Sequence, residues 1–556
     1  MLWASGDLAG GIAAMEHALA TLPPGPSQLR ARALATLAQH LMLDGRFAES
    51  ATLAEQARDI AEAVGPGARP ELAHALCTLG VDLAWQGKLD QGLALLKASA
   101  AVARREGRLD DLMRAALNRT TVLDLDARRE QALEVVTVGI RDAEAGGLGR
   151  TYGSFLRGNA ADILYQLGRW PESEAECRVG MEWQPTGVAW FSPTLYLGLV
   201  LVESRADDEA EDLVGQTLLQ LDTMPAGQWT ALVQRAAVSF ALWHGEVADA
   251  LMVARREWPR VLATEDPGQI ALAASTCLEA AAEAAEEGRA RRDVGLVAEA
   301  SELAALVLPE AERQVAEGTL PPTLGARTEA DLHLGMARAH RRRVQGRPSA
   351  RSWARLAEAW VERGIPYQAA KARWWQSLAE LRRSGGDRPA ARDSLQDAWR
   401  LASRLPAGPL CAAISDLASR ARITLPVDEG FPAPSIAPRR PGRSTFHRVA
   451  VRVVADPGTS DVSDEIRGSI ADIVRAPDQD VVPYGLSRRE LEVLLIICEG
   501  RTDREIAERL FISERTVHVH VRKVLHKMGV GSRTHAATIA FQAGLVPQVS
   551  GSPTGH

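Results

Sequence analysis

The sequence predicts an all-α chain in four parts. A helical-hairpin solenoid covers residues 1–422, a flexible Pro/Arg-rich linker 423–483, a small four-helix domain 484–546, and a disordered tail 547–556. Three observations predict it. Alanine and leucine carry the apolar fraction, and both favour helices over strands. A Gly-polar-apolar turn recurs at a regular interval, in the range of helical-hairpin repeats. Residues 484–546 contain three helix starts whose caps are written in the sequence. With 556 residues the chain is too long for one core, and its 46% apolar and 24% charged residues are those of folded protein.

The turns come first along the chain. They read Gly6-Asp7-Leu8, Gly45-Arg46-Phe47, Gly87-Lys88-Leu89, Gly168-Arg169-Trp170 and Gly245-Glu246-Val247. The steps from Gly6 to Gly45 and from Gly45 to Gly87 are one period each. Those from Gly87 to Gly168 and from Gly168 to Gly245 are each about twice as long. Degenerate turns are therefore expected midway, at Asp126-Ala127-Arg128 and Ala206-Asp207-Asp208. A further turn fits Gly288-Arg289, after which the register blurs into helical segments at 352–363, 368–384 and 390–405. Glycine suits the left-handed cap that ends a helix, and a hairpin that cannot bury its own apolar stripe stacks on its neighbours. The pattern resembles the tetratricopeptide class in a degenerate form, with a period longer than that class's standard of about 34 residues.

Only five residues precede the first turn, so the first hairpin lacks its opening helix. A start downstream of the true one, or descent from a longer parent, would account for that. Indoles cluster at Trp183, Trp190, Trp353, Trp360, Trp374 and Trp375. They read either as hairpin packing or as a surface for an effector or a protein partner.

Prolines 426, 432, 434, 438 and 441 crowd the start of the linker together with Arg439, Arg440 and Arg443. Such a stretch is extended and mobile. The five cysteines, Cys77, Cys177, Cys277, Cys411 and Cys498, form no CxxC pair and read as buried, reduced thiols. No secretory signal and no apolar run of membrane-spanning length is visible, so the expected location is the cytoplasm.

In the last domain, Ser487 with Glu490 is a capping box and Gly500 stops the first helix. Thr502 with Glu505 opens a second, short helix. Ser513, with Glu514 at the positive end, opens a third that Gly529 closes. A short helix, a tight turn and a longer helix make a helix-turn-helix. On the third helix Val517, Val521, Val524 and Met528 share one face and should meet Leu491, Leu494, Ile497, Ile506 and Leu510. Arg515, His518, Val519, Arg522 and His526 lie opposite.

Such a helix suits the major groove. Arg522 has the fork for guanine O6/N7, Val519 can touch a thymine methyl, and Lys523 and Lys527 are placed for phosphate. The ten basic and seven acidic residues of 484–546 give +3, so the net −7 of the chain leaves −10 on the rest.

The ordered string from Leu486-Ser487-Arg488-Arg489-Glu490 through Glu505-Ile506-Ala507, Thr516-Val517, His520-Val521 and Lys527-Met528-Gly529-Val530 to Ser532-Arg533 closely resembles the LuxR-type DNA-binding domain of bacterial transcriptional regulators. The resemblance is confined to this last domain, roughly a tenth of the chain. It implies that Thr516 and Lys527 meet the DNA backbone, and that His518, Val519 and Arg522 approach bases; Arg515 and Lys523 complete the expected DNA-binding set. It also implies that the fourth helix, about residues 534–543, pairs two monomers. Double-stranded promoter DNA is then the partner, with RNA polymerase a further candidate. One departure is Asp503, where the family carries Asn. His518, His520 and His526 have no acid or cysteine at ligand spacing, so they are not read as a metal site.

Large regulators of this type often begin with an ATPase. The one Gly-Lys dipeptide, Gly87-Lys88, is followed by Leu89, and Asp82 stands where a P-loop would open with glycine. GxSxG and HExxH are absent too. The reading is therefore a non-enzymatic transcriptional regulator needing no cofactor. Its rivals are an interaction scaffold, the C-terminal part of a larger signalling ATPase, and a sigma-factor-like domain. The strings around His520 and Met528 weigh against the last of these.

Overall fold

The computed structural model describes residues 8–185, 188–222, 227–318, 325–382 and 387–426. Nearer the C-terminus it describes Val493, Leu494, Ile497, Val517, Val521, Lys523, Val524, Leu525, Lys527, Met528, Val530, Arg533, Ala536 and Ala540. The chain divides into two compact units, Met1–Ala455 and Asp456–His556.

Among the described residues every regular element is a helix. The first unit begins with α1 (Leu8–Thr21), α2 (Gln28–Leu43), α3 (Phe47–Val64), α4 (Arg69–Trp85), α5 (Leu89–Arg105), α6 (Leu109–Leu125) and α7 (Arg129–Ala145). There follow α8 (Ser154–Gln166), α9 (Trp170–Glu182), α10 (Val188–Ser204), α11 (Asp208–Leu221), α12 (Thr230–Trp243) and α13 (Val247–Leu262). The last are α14 (Pro267–Arg291), α15 (Val294–Glu317), α16 (Gly325–Val344), α17 (Ala350–Glu362), α18 (Pro366–Leu381), α19 (Arg388–Arg404) and α20 (Gly408–Ala421). Successive helices pack on one another as stacked hairpins do. None is long and apolar enough to cross a membrane.

The expected turns sit at the hairpin tips. Gly45, Gly87, Gly168 and Gly245 all have positive φ, and the residue after each donates its N–H five residues back, as in Lys88 to the Leu83 carbonyl at 2.8 Å. This is the Schellman termination, which satisfies carbonyls left open at a helix end. The two degenerate turns place alanine in the left-handed region, with φ of 58° at Ala127 and 47° at Ala206. Arg128 N–H then reaches the Leu123 carbonyl at 2.9 Å as at the glycines, whereas at the second turn Ala206 N–H itself reaches that of Leu201 at 2.8 Å.

Equivalent positions recur between repeats. Ser50, five residues after Gly45, donates to the Ala38 carbonyl at 2.7 Å, and Ser173, five residues after Gly168, donates to that of Ala161 at 2.7 Å.

One expected turn is displaced. Gly288 lies inside α14, and the chain reverses at Arg292, with φ of 61°. The Asp293 N–H donates to the Gly288 carbonyl at 2.8 Å, so Gly288 is the last-turn acceptor of the motif, with α15 packed close over it. Its lack of a side chain serves the helix crossing, where a Cβ would meet Val297 Cγ2 at 2.9 Å. The register blurs here because α14 and α15 run 25 and 24 residues, several beyond their neighbours. The segments expected near 352–363, 368–384 and 390–405 are α17, α18 and α19. The Gly6-Asp7 turn and nearly all of the 423–483 linker lie outside the described residues.

The array bends back on itself. Arg129 on α7 reaches Glu329 on α16 at 2.7 Å, and Arg363, just past α17, reaches the same carboxylate at 3.0 Å. Tyr367 on α18 donates to Glu203 on α10, stacks at a tilt on Trp170 of α9 with centroids 5.2 Å apart, and lies under Lys371. Lys371 pairs with Glu279 of α14 at 2.6 Å. Helices α7–α10 and α14 thus line one interior with α16–α18.

Most indoles fill that packing. Trp353 and Trp360 are fully buried and Trp375 nearly so, while Trp190 and Trp374 are half-buried. His340 sits edge-on to Trp353 and Trp375, and the Arg343 guanidinium lies 3.5 Å over the Trp375 ring. The idea of an indole-lined docking surface therefore gives way to core packing, except at Trp183, which is 46% exposed. Cys77, Cys177, Cys277 and Cys411 are buried and unpaired, and burial pushes the thiols of Cys277 and Cys411 up to about 12. Cys498 lies outside the described residues.

Candidate nucleic-acid interface

The C-terminal unit is built around one apolar stripe. Val517, Val521, Val524 and Met528 are helical or end a helix, follow one another at i, i+4, i+7 and i+11, and are all buried. That spacing places them on a single helix face. Val524 and Met528 join Leu494, Val530, Ala536 and Ala540 in one core cluster. Val493 and Ile497 are buried as well, so the first helical segment lends its apolar side to the same domain. Of the partners expected for the stripe, Leu491, Ile506 and Leu510 lie outside the described residues.

The helix ends as the solenoid helices do. Met528 N–H donates to the Val524 carbonyl at 2.9 Å, and Val530 N–H reaches back five residues to that of Leu525 at 2.9 Å. The sequence supplies Gly529 between them, the residue this termination favours.

Lys523 and Lys527 are helical and exposed, off the buried stripe. Their ammonium groups stand one turn apart on a helix whose other face is anchored in the core. The other sequence-derived site residues, Arg515, Thr516, His518, Val519 and Arg522, lie outside the described residues, as do the capping residues Ser487, Thr502 and Ser513.

A buried valine face, exposed lysines and a Schellman stop are what a recognition helix needs. Residues 485–540 match the family model described as bacterial regulatory proteins, luxR family. The C-terminal segment is a LuxR-type DNA-binding domain. Transcriptional regulatory protein LiaR of Bacillus subtilis is 37% identical over 93 residues, 16% of this chain and 44% of LiaR. Transcriptional regulatory protein DegU of Brevibacillus brevis is 46% identical over 61 residues, 11% of this chain and 26% of DegU. Response regulator protein VraR of Staphylococcus aureus is 43% identical over 61 residues, 11% of this chain and 29% of VraR.

The chain therefore spans less than half the length of these relatives. Among solved structures, the human IFIT1 dimer with m7Gppp-AAAA matches at 11% identity and a TM-score of 0.34, over 75% of this chain and 94% of that one. Yeast Tom70 matches at 12% identity and a TM-score of 0.26, over 76% of this chain and 93% of that one.

Proposed function

We propose that this chain is a transcriptional regulator that binds promoter DNA through residues 484–546, as a dimer joined by the helix near 534–543. The solenoid of residues 1–422 acts as its sensor or protein-docking module. The observation that carries the reading is the buried stripe of Val517, Val521, Val524 and Met528 with Lys523 and Lys527 exposed beside it. At about 100° per residue that stripe leaves the 515, 519, 522 and 523 positions on the opposite side and 516, 518 and 527 on the flanks. Arg522 and Val519, with His518, then read base edges. Arg515, Thr516, Lys523 and Lys527 hold phosphates.

The reading has no catalytic role, cofactor or metal in it. Gel shifts of the whole chain with fragments of its own genome test it. A fragment that outcompetes bulk DNA supports the proposal, and equal affinity for all sequences would leave only a scaffold that touches DNA.

A further inference from the structure

A second basic surface lies far from the LuxR-type domain in sequence. Between Asp331 and Glu358 there are seven arginines and no acidic residue. This stands inside a body with a net charge of −10, where most arginines among the described residues lie beside a carboxylate. The stretch covers most of α16, its Gly346 turn and the start of α17.

One of the seven is used internally. Arg343 is buried and pairs with Glu283 at 2.7 Å and Glu286 at 2.9 Å. Arg338 pairs with Glu312 at 2.6 Å. By contrast Arg342, Arg347, Arg351 and Arg355 are exposed and have no acidic partner among the described residues; Arg341, half-buried, has none either.

The fold adds to the patch. Arg289 of α14 donates to the carbonyls of Arg343 and Val344 at 2.9 and 2.8 Å, which sets the end of α14 beside the end of α16. Exposed Arg292 follows three residues on, again with no acidic partner among the described residues.

The carboxylates at this end are already engaged. Burial pushes Glu286 up, but Arg343 and Arg382 override it and hold the carboxyl at about 2. Glu287 pairs with Arg291 at 2.8 Å. Asp293 and Asp387 cap helices. Glu246 and Asp249, across a pocket from Arg291, and exposed Glu358, three residues after Arg355 on α17, border the patch with negative charge.

Helix α17 sharpens the point. Its first turn carries Arg351 and no acid, so a fixed cation faces the positive end of a 13-residue helix. That arrangement is unfavourable unless an anion compensates it. Arginine forks match phosphate oxygens in two-point contacts.

We propose that the joined ends of α14 and α16 and the start of α17 form a second DNA contact. Arg292, Arg342, Arg347, Arg351 and Arg355 would hold the phosphate backbone of duplex flanking the site bound by the LuxR-type domain. The inference rests on the DNA-binding reading above. A chain already held on DNA presents this surface to flanking duplex at high local concentration, so weak backbone contacts suffice.

The test uses the full chain, a DNA fragment extending well beyond the protected site, and one trimmed to that site. Binding is followed against salt for the wild type, for Arg347→Gln/Arg351→Gln/Arg355→Gln, and for Lys527→Ala. The triple variant should lower the salt slope by about 0.9 per lost phosphate contact, so roughly 2–3 in all, on the long fragment only. Lys527→Ala should lower it by about 0.9 on both fragments.

Equal slopes for wild type and triple variant on the long fragment overturn the proposal and leave an acidic protein surface as the partner to seek. An equal loss on the trimmed fragment overturns it too, because the flanks would then play no part. A wild type that binds neither fragment overturns the DNA-binding reading itself. Unchanged circular dichroism and melting of the triple variant, whose three side chains are all exposed, exclude misfolding as the cause.

Discussion

Arg129 and Glu329 lie 200 residues apart in the chain and 2.7 Å apart in the fold. Arg129 is 4% exposed, and it also donates to Gln166 at 2.9 Å and lies 3.5 Å from Asp124. Its surroundings hold three carboxylates, since Asp162 shares the cluster through Gln166 and Tyr196. Burial first, then the charge of Asp162, pushes Asp124 up to about 7.

Replacing Glu329 with glutamine removes the charge that Arg129 and Arg363 share. A buried arginine that loses its partner costs about 3–5 kcal/mol. Asp124 and Gln166 stay in place, so the loss should fall at the lower end, about 3 kcal/mol. Urea unfolding of the wild type and Glu329→Gln measures it. A difference below about 0.5 kcal/mol, the size of an ordinary surface substitution, would show that the closure is not held here.

Asp82 should make stability pH-dependent. Ser50 Oγ stands 2.7 Å from the Ala38 carbonyl and 2.7 Å from Asp82 Oδ2. The hydroxyl has one proton and the carbonyl can only accept, so Asp82 satisfies the pair best when it is protonated and donates. Burial agrees, raising its carboxyl to about 7. A raised acid binds its proton more tightly folded than unfolded, so its contribution is full below about pH 4 and falls as pH rises to about 7. Each pH unit in that window is worth about 1.4 kcal/mol. Asp82→Asn keeps the donor and removes the titration. Melting midpoints from pH 5 to 8 should favour the variant increasingly with pH, and a constant difference would remove Asp82 as the cause.

Helices α4 and α5 cross at two glycines. A Cβ on Gly80 would meet Leu96 Cγ at 2.7 Å and the Gly92 carbonyl at 2.9 Å, and one on Gly92 would press on the Gly80 carbonyl. Backbone cannot swing aside as a side chain does. Gly92→Ala should therefore destabilise by about 2–3 kcal/mol, although alanine is the better helix former. A neutral or stabilising result by thermal unfolding would show that the crossing has slack.

On DNA, Arg522→Ala should cost about 1–3 kcal/mol at the best site and relax sequence preference, because one bidentate base contact is lost. Equal losses on specific and random fragments in a competition gel shift would remove Arg522 from base readout.

Much of this was legible in the sequence, for physical reasons that also mark where legibility stopped. Glycine punctuates helix ends, so the hairpin tips were readable, and spacing alone located Ala127 and Ala206 where glycine is missing. Gly288 misled because glycine serves close helix crossings as well as turns, and a local pattern does not separate the two. The stripe from Val517 to Met528 was readable from its period. The indoles were ambiguous because exposure depends on distant chain, as with His340 and Arg343 closing over Trp375. The partners of Arg129, Glu203 and Lys371 carry no local signal at all. The unpartnered arginines of α16 and α17 did leave one, an acid-free run from Leu332 to Ala357, but only the fold shows which of them are used internally.

Open repeat arrays gain stability by nearest-neighbour addition, and they lose repeats from an end gradually. The bonds from α7 to α16 and from α10 to α18 break that one-dimensional logic. Helices in the middle of the array are held by partners made much later in synthesis, so the early hairpins complete the pairing of their buried charges only when the late ones arrive. Shortening the chain at α15 would take Glu329 from Arg129, Tyr367 from Glu203 and Lys371 from Glu279. Folding of this unit should be slow and all-or-none rather than progressive.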